Sequence, residues 1–139
     1  MMKYENMESF HYSGGKFVQL IGLIITPSHQ GIGLSNELLS FGLLHNFVKS
    51  NVKAVTGITR CARYKPELGD YSAYINQKNR FGYIADPILN IHYMEGADII
   101  GTIPGFREMD KDNSGNGVHI RYEFSDWIEK KKDLKLCNR

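Results

Sequence analysis

The sequence predicts an α/β domain, and three observations carry that prediction. A strand-like apolar run from Lys16 to Thr26 is followed, across a glycine-bearing loop, by a helical run from Leu34 to about Ser50 and a second strand from Val52 to Thr59. A further helix, opened by Asp86-Pro87, leads into two more strand-like stretches, Asp98 to Ile103 and Val118 to Phe124. Finally, 139 residues of which 42% are hydrophobic and 23% charged suit one globular domain with a core. Strand and helix periods that alternate in this way belong to the α/β class.

Taken in order, Met7 to Tyr12 reads as a short strand closed by the Ser13-Gly14-Gly15 turn. Lys16 to Thr26, rich in Val, Leu and Ile, reads as a long buried strand. Pro27 ends it, having no N–H for the ladder. At 100° per residue in the next helix, Leu34, Leu38, Phe41, Leu44 and Val48 share one side and Leu39, Leu43 and Phe47 the other. A helix apolar on two faces is expected to lie buried between layers. Asp70 is a suitable N-cap for a helix from Tyr71 to about Asn79. Asp86 caps the following helix and Pro87 sits in its first turn; that helix carries Ile88, Leu89, Ile91 and His92, and Gly96 stops it. The linker from Asp110 to Gly117 is turn-rich. It imitates the start of a calcium loop, but the twelfth position is Arg121, where a bidentate Glu is required.

Composition excludes several classes. With 17 basic and 15 acidic residues the net charge is +2, too balanced to provide a global field for nucleic acid. The dense basic cluster, Lys130-Lys131-Lys132 with Lys135 and Arg139, shares its tail with Glu129 and Asp133 and reads as a solvated, fraying helix end. The longest apolar stretch, Phe17 to Thr26, is broken by Gln19 and falls short of a membrane span of ~20 residues. Two cysteines, Cys61 and Cys137, make neither a disulfide framework nor a metal spacing, so the expected compartment is the cytoplasm. Cys61 reads as a small buried hydrophobe. His11, His29, His45 and His119 show no ligand spacing with any carboxylate, and no metal is expected.

The informative segment is Ile25-Thr26-Pro27-Ser28-His29-Gln30-Gly31-Ile32-Gly33-Leu34-Ser35. Its glycines stand where a helix N-terminus presents unpaired N–H groups, a site suited to phosphate or pyrophosphate. No Gly-Lys-Ser/Thr follows, and Asn36 stands where a dinucleotide fingerprint needs glycine. On that feature alone a simple tight turn reads equally well. In full context the segment resembles the acyl-CoA-binding motif of the GCN5-related N-acetyltransferase (GNAT) superfamily, Gln/Arg-x-x-Gly-x-Gly/Ala, with Ser35 in place of the usual small Gly or Ala. The resemblance spans roughly residues 16–124. It implies a mixed, mostly antiparallel sheet with helices on both faces and a CoA cleft where two strands splay. It further implies that Gln30, Gly31, Ile32, Gly33, Leu34 and Ser35 hold the pyrophosphate, while Leu23, Ile24 and Ile25 pair with the pantetheine arm. Only about 15 residues precede Lys16, so the family's N-terminal strand and helices, one wall of the acceptor site, are expected to be absent, or supplied by a partner domain or a second copy. The organisation expected is a short segment 1–15, an incomplete GNAT-like domain 16–124 and a basic tail 125–139.

A second resemblance narrows the first. Gly57-Ile58-Thr59-Arg60-Cys61, Asp86-Pro87-Ile88-Leu89-Asn90-Ile91-His92 and Pro104-Gly105-Phe106-Arg107 look like the branch that includes GNAT-like loading domains of polyketide synthases and domains accompanying carbon–nitrogen hydrolases. His92 stands where ordinary members carry a general-acid Tyr, and Thr59, His92 and Arg107 match the Thr, His and Arg that serve the acyl group. A histidine can move a proton near neutrality, a threonine hydroxyl can bond a thioester oxygen, and an arginine suits a carboxylate. Each also has a plain reading: His92 as a satisfied core histidine, Thr59 as an ordinary strand residue, Arg107 as a surface ion-pair partner of Glu108 or Asp110. The resemblance implies an acyltransferase that moves an acyl group, acetyl by expectation, from acyl-CoA to an amine or to the thiol of an acyl carrier protein. It also admits malonyl-CoA decarboxylation with acetyl transfer, or a CoA-binding remnant without catalysis.

Overall fold

Regular strand pairing starts one residue after the Ser13-Gly14-Gly15 turn region gives way to Lys16. In the computed structural model, which describes residues 3–137, β1 (Phe17–Leu20), β2 (Ala54–Thr59), β3 (Asp98–Ile103) and β4 (Gly117–Glu123) form one sheet in the order β1-β2-β4-β3. β1 runs parallel to β2, and the other two pairings are antiparallel. The mixed, mostly antiparallel sheet is therefore as the sequence predicts. A parallel neighbour needs a crossover, and α1 (Leu34–Phe47) provides it between β1 and β2.

Register sets the two faces. Val55 lies opposite Tyr122, Gly57 opposite Ile120 and Thr59 opposite Val118, so these six residues share one face. Val55, Val118, Ile120 and Tyr122 are wholly buried there, in a core with Leu39 and Leu43 of α1, Leu89 of α3 (Pro87–Met94) and Trp127 of α4 (Trp127–Leu136). The opposite face holds Gln19, Thr56, His119, Arg121 and Glu123, all half-exposed. Thr56 Oγ1 donates to the Ile120 carbonyl and meets His119 Nε2 at 2.7 Å. At one end of that face Phe106 is buried against Gly117.

Several elements differ from the sequence expectation. Residues Met7 to Tyr12 do not form a strand: Tyr4–Phe10 is a 3-10 turn, docked by Tyr4 N–H on the Phe106 carbonyl and by an edge-on contact between the two rings. The strand expected over Lys16 to Thr26 pairs only from Phe17 to Leu20, and Ile21 to Ile24 stand in the open, with Ile24 92% exposed. β-propensity built the apolar run, but the ladder ends because β2 turns away from it beyond Gly57.

Nor is α1 buried on two sides. Leu39 and Leu43 face the sheet, whereas Leu34, Leu38, Phe41, Leu44 and Val48 are exposed, Phe41 to 69% and Val48 to 75%. Only the sheet and its neighbouring helices pack on α1 among the described residues, so one stripe suffices for burial and the other is left in water. Between Phe17 and Val48 the single Asp, Glu, Lys or Arg is Glu37.

The helix after Asp70 is one turn, α2 (Tyr71–Tyr74), capped as expected by Asp70 Oδ2 on Ala73 N–H at 2.8 Å. It stops early because Gln77 and Asn79 bond into a turn around Gly82, whose φ is +83°. The basic tail is less solvated than its composition suggests. α4 is anchored by Trp127, fully buried, whose indole N–H donates to the Glu95 carbonyl at 2.7 Å. Lys130 pairs with Asp98 and Lys131 with Glu95; Arg139 lies outside the described residues. No helix among the described residues is long and apolar enough to cross a membrane.

Candidate active site

The parting of β1 from β2 opens a cleft. Leu20 is the last residue of β1 in register, opposite Gly57, while Ile58 and Thr59 continue along β4 alone. Into the wedge open Leu20 to Leu23 from the first strand, Leu38, Leu39 and Gly42 from α1, and Ile88, Ile91 and His92 from α3. The cavity holds about 490 Å³, and Thr59, Arg60, His92 and Arg107 give its otherwise apolar wall its strongest polar groups. Mostly apolar lining with a few convergent polar groups is the usual make-up of a small-molecule site. The three residues singled out as catalytic candidates, Thr59, His92 and Arg107, are thus brought to one cavity. Leu23 and Ser35 reach it too.

α3 exists where it does because of Asp86. That carboxylate is 1% exposed and accepts from Ile88 and Leu89 N–H as a helix cap, from Ala62 and Arg63 N–H beyond β2, and from the Tyr74 hydroxyl. One side chain therefore ties α3, the end of β2 and α2 together, and sets α3 so that His92 lines the cavity that Thr59 also lines. Gly96, at φ +92°, ends the helix where a side chain would strike the Trp127 ring at 2.7 Å.

His92 is not a core histidine without polar company. Its Nδ1 lies 2.6 Å from the Tyr122 hydroxyl, and burial pulls its pKa from 6.5 to about 4, so the ring is neutral at physiological pH. Burial, reinforced by the charge of Glu95, pushes the Tyr122 phenol well above its ordinary value. Sequence reasoning passed over Tyr122, yet the alternation of Val118 to Phe124 places it on the core face, where a tyrosine hydroxyl needs a partner.

Arg107 is held by its loop and by an aromatic floor. Its N–H bonds the Gly115 carbonyl, and its guanidinium lies 4.3 Å from the centre of the Tyr4 ring. The ion pairs open to it by sequence are taken by others: Asp110 pairs with Arg60 at 3.2 Å and Glu108 with Lys3. Among the described residues Arg107 makes no ion pair. Its loop is pinned to the end of β2 by the fully buried Asn113, whose Oδ1 accepts from Cys61 N–H and the Tyr71 hydroxyl, and whose Nδ2 donates to the Cys61 carbonyl. That pin gives the turn-rich segment from Asp110 to Gly117 its structural purpose. Cys61 itself is buried, as expected, with its thiol raised to about 11, which leaves it inert. Arg60 and Arg107 also border a second, wide depression of about 570 Å³ lined by Tyr4, Glu5 and residues 108–112.

The glycine loop is built as a helix entrance. Gly31 and Gly33 have φ of +78° and +86°, a left-handed backbone that only glycine adopts cheaply. A Cβ at either would meet nothing, so conformation and not crowding requires glycine. The first backbone bonds of α1 run from Asn36 and Glu37 N–H to the Gly33 carbonyl, leaving the N–H groups ahead of them without a helical acceptor. Gln30 braces the loop through its amide on the Ile25 carbonyl. The loop residues Gln30, Gly31, Ile32, Gly33 and Leu34, with Ile24 and Ile25, do not line the 490 Å³ cavity; all but the half-buried Ile25 are exposed.

No family model matches the chain, and no curated protein sequence does. Solved structures do. The chain is similar to the loading GNATL domain of CurA from Lyngbya majuscula, at 34% identity and a TM-score of 0.83 over 88% of this chain. It is similar to the GphF GNAT-like decarboxylase in complex with isobutyryl-CoA, at 30% identity and a TM-score of 0.79 over 88% of this chain. It spans 62% and 64% of those two chains, respectively.

Proposed function

We propose, from the GNAT-like fold that this chain has, that its cavity binds an acyl-CoA and promotes decarboxylation of a carboxyacyl group such as malonyl, followed by transfer of the remaining acyl group to a thiol. The observation that carries this reading is the composition of the cavity wall. It holds two arginines, a threonine hydroxyl and a neutral imidazole, and among the described residues that line it there is no carboxylate. An amine acceptor arrives as an ammonium and needs a base. A carboxyacyl thioester needs a cation for its carboxylate and donors for its thioester oxygen.

In the proposed step the carboxylate docks against Arg107. The bond from the α-carbon to the carboxylate breaks and CO₂ leaves. The electron pair passes into the thioester enolate, whose oxygen takes hydrogen bonds from Thr59 and His92, and water returns a proton to the α-carbon. Acyl transfer then exchanges the bond to CoA sulfur for one to an acceptor thiol, as on a carrier protein; the thiol attacks as the small thiolate fraction that it carries at neutral pH, and the proton ends on the departing CoA sulfur. Similarity to a domain described as a decarboxylase and to one described as a loading domain supports this order of events. The acceptor would approach through the wide depression that shares Arg60 and Arg107 with the cavity. That shared border also favours the second reading, direct transfer of acetyl from acetyl-CoA to an amine or a carrier-protein thiol, which has no need of a carboxylate anchor.

Incubation with malonyl-CoA and quantitation of acetyl-CoA by mass spectrometry tests the proposal. The chain is expected to convert it, and Arg107→Ala to lose more than tenfold in turnover. Binding of malonyl-CoA by calorimetry without conversion identifies a non-catalytic CoA-binding domain. Transfer from acetyl-CoA that Arg107→Ala leaves intact selects the second reading, and absence of binding to either thioester overturns the CoA assignment.

A further inference from the structure

The contact between α3 and β4 decides which proton His92 carries. Tyr122 is wholly buried and its phenol is held in the protonated form, so its O–H must find an acceptor. Its sole hydrogen-bond partner among the described residues is His92 Nδ1, at 2.6 Å. If Nδ1 carried the proton, both groups would be donors on one line and the phenol hydrogen would be left without an acceptor in the core. The hydroxyl therefore donates to a bare Nδ1, and the ring proton sits on Nε2. With Nδ1 spent on Tyr122, Nε2–H is the one polar group that the ring can offer the cavity it lines.

We propose that Tyr122 is a positioning residue that locks His92 as the neutral Nε2–H tautomer, so that His92 serves the acyl thioester as a hydrogen-bond donor and not as a base. This rests on the reading of the cavity as an acyl-thioester site and deepens it. A neutral Nε2–H cannot accept a proton from an incoming nucleophile at that nitrogen, and it gives one up only by becoming imidazolate. What it does well is donate to an oxygen as negative charge grows there, at no cost of reorganisation. The charged groups around the pair agree with a neutral ring. Just past the end of α3 the charge of Glu95 acts on Tyr122, but Lys131 of α4 and the Ser40 hydroxyl of α1 hold its carboxylate. The cavity that His92 lines is also lined by the cations Arg60 and Arg107 and the uncharged Thr59. Among the described residues no carboxylate lines the cavity to draw a second proton onto the imidazole.

The test uses the full chain, uniformly labelled with ¹⁵N, and long-range ¹H–¹⁵N correlation of the histidine side chains, which needs no substrate. The expected spectrum shows His92 with a bare Nδ1 and a protonated Nε2 throughout the neutral range. Tyr122→Phe, which removes one oxygen from a site that keeps its ring, is expected to let the two tautomers mix. In the malonyl-CoA assay it is expected to lower kcat about tenfold with KM within twofold, since only an interaction with developing charge is disturbed. An Nδ1–H tautomer in the unmodified chain overturns the proposal, as does a Tyr122→Phe spectrum with the Nε2–H preference intact. If instead the tautomer is as expected while no thioester binds, the positioning role stands and the function reading fails.

Discussion

Acidification should weaken the fold through His92, and the amount can be worked out. In the unfolded chain the imidazole titrates near its ordinary value of 6.5; in the folded chain burial holds it at about 4. Above 6.5 both states are neutral and the buried ring costs nothing in protons. As pH falls below 6.5 the unfolded state binds a proton that the folded state refuses, so stability drains away until the folded ring titrates near 4. At about pH 4.5 the accumulated loss is ~2.5 kcal/mol. His92→Gln isolates it, because the amide oxygen can still accept from Tyr122 while the side chain does not titrate. Urea unfolding of both proteins at about pH 7.5 and about pH 4.5 gives two differences in unfolding free energy, in which the carboxylates common to both proteins cancel. The difference should shift by ~2.5 kcal/mol against the histidine form on acidification. A difference constant to within ~0.5 kcal/mol refutes the reasoning: the ring would then be as hydrated as in the unfolded chain, and its bond to Tyr122 would not be made in a dry site.

Other residues permit shorter predictions. Asp86→Asn leaves a single acceptor oxygen for N–H and O–H donors that now share two, and should cost ~3 kcal/mol in unfolding free energy by urea titration, with less than ~1 kcal/mol contradicting its role as the hub. Gly96→Ala combines a left-handed φ of +92° with a Cβ 2.7 Å from the Trp127 ring and should cost ~2–4 kcal/mol, seen as a lowered Tm together with a changed tryptophan emission. Gly33→Ala meets no atom, so only the strain of ~1 kcal/mol is expected in stability; calorimetry should show a larger proportional loss in affinity for acetyl-CoA, since the residue opens the helix N-terminus proposed to hold its pyrophosphate. Lys131→Met should free the Glu95 carboxylate next to the buried Tyr122–His92 pair and slow malonyl-CoA turnover while leaving acyl-CoA affinity unchanged.

What the sequence disclosed, and what it hid, follows from where each signal is stored. Local chemistry was legible: the Asp86 and Asp70 caps, the stop at Gly96 and the strand from Asp98 to Ile103 stand where they were expected. So was the convergence of Thr59, His92 and Arg107 on one cavity, which came from resemblance and not from any periodicity. Apolar content misled where burial depends on a neighbour. Ile21 to Ile25 carries strong strand propensity, but a strand is defined by its partner, and β2 departs from it after Gly57. The second stripe of α1 failed for the same reason: a helix periodicity says which residues share a side, never whether another layer covers it. Tyr4–Phe10 was misread because its tie to the fold is a distant loop, through Phe106 and Arg107. The basic tail concealed Trp127, whose single aromatic ring outweighs the lysines that follow it in deciding whether the segment docks.

The burial that takes His92 out of the titrating range also constrains the chemistry the cavity can run. A base at neutral pH must be able to hold the proton it takes, and a ring that protonates only near 4 cannot hold one from an ammonium or a thiol. The other titratable groups on the wall, Arg60 and Arg107, are already charged and cannot serve either. A reaction suited to such a wall is one whose electron pair arrives without deprotonation. Loss of CO₂ from a carboxyacyl thioester meets that condition, because the cleaved carbon–carbon bond supplies the pair and the only demand on the protein is to stabilise the enolate oxygen. The donors fit that demand: a threonine hydroxyl at the splayed end of β2 and an imidazole N–H whose direction is fixed from behind by Tyr122. In this light a wall whose described residues offer no general base suits the proposed decarboxylation, which calls for none.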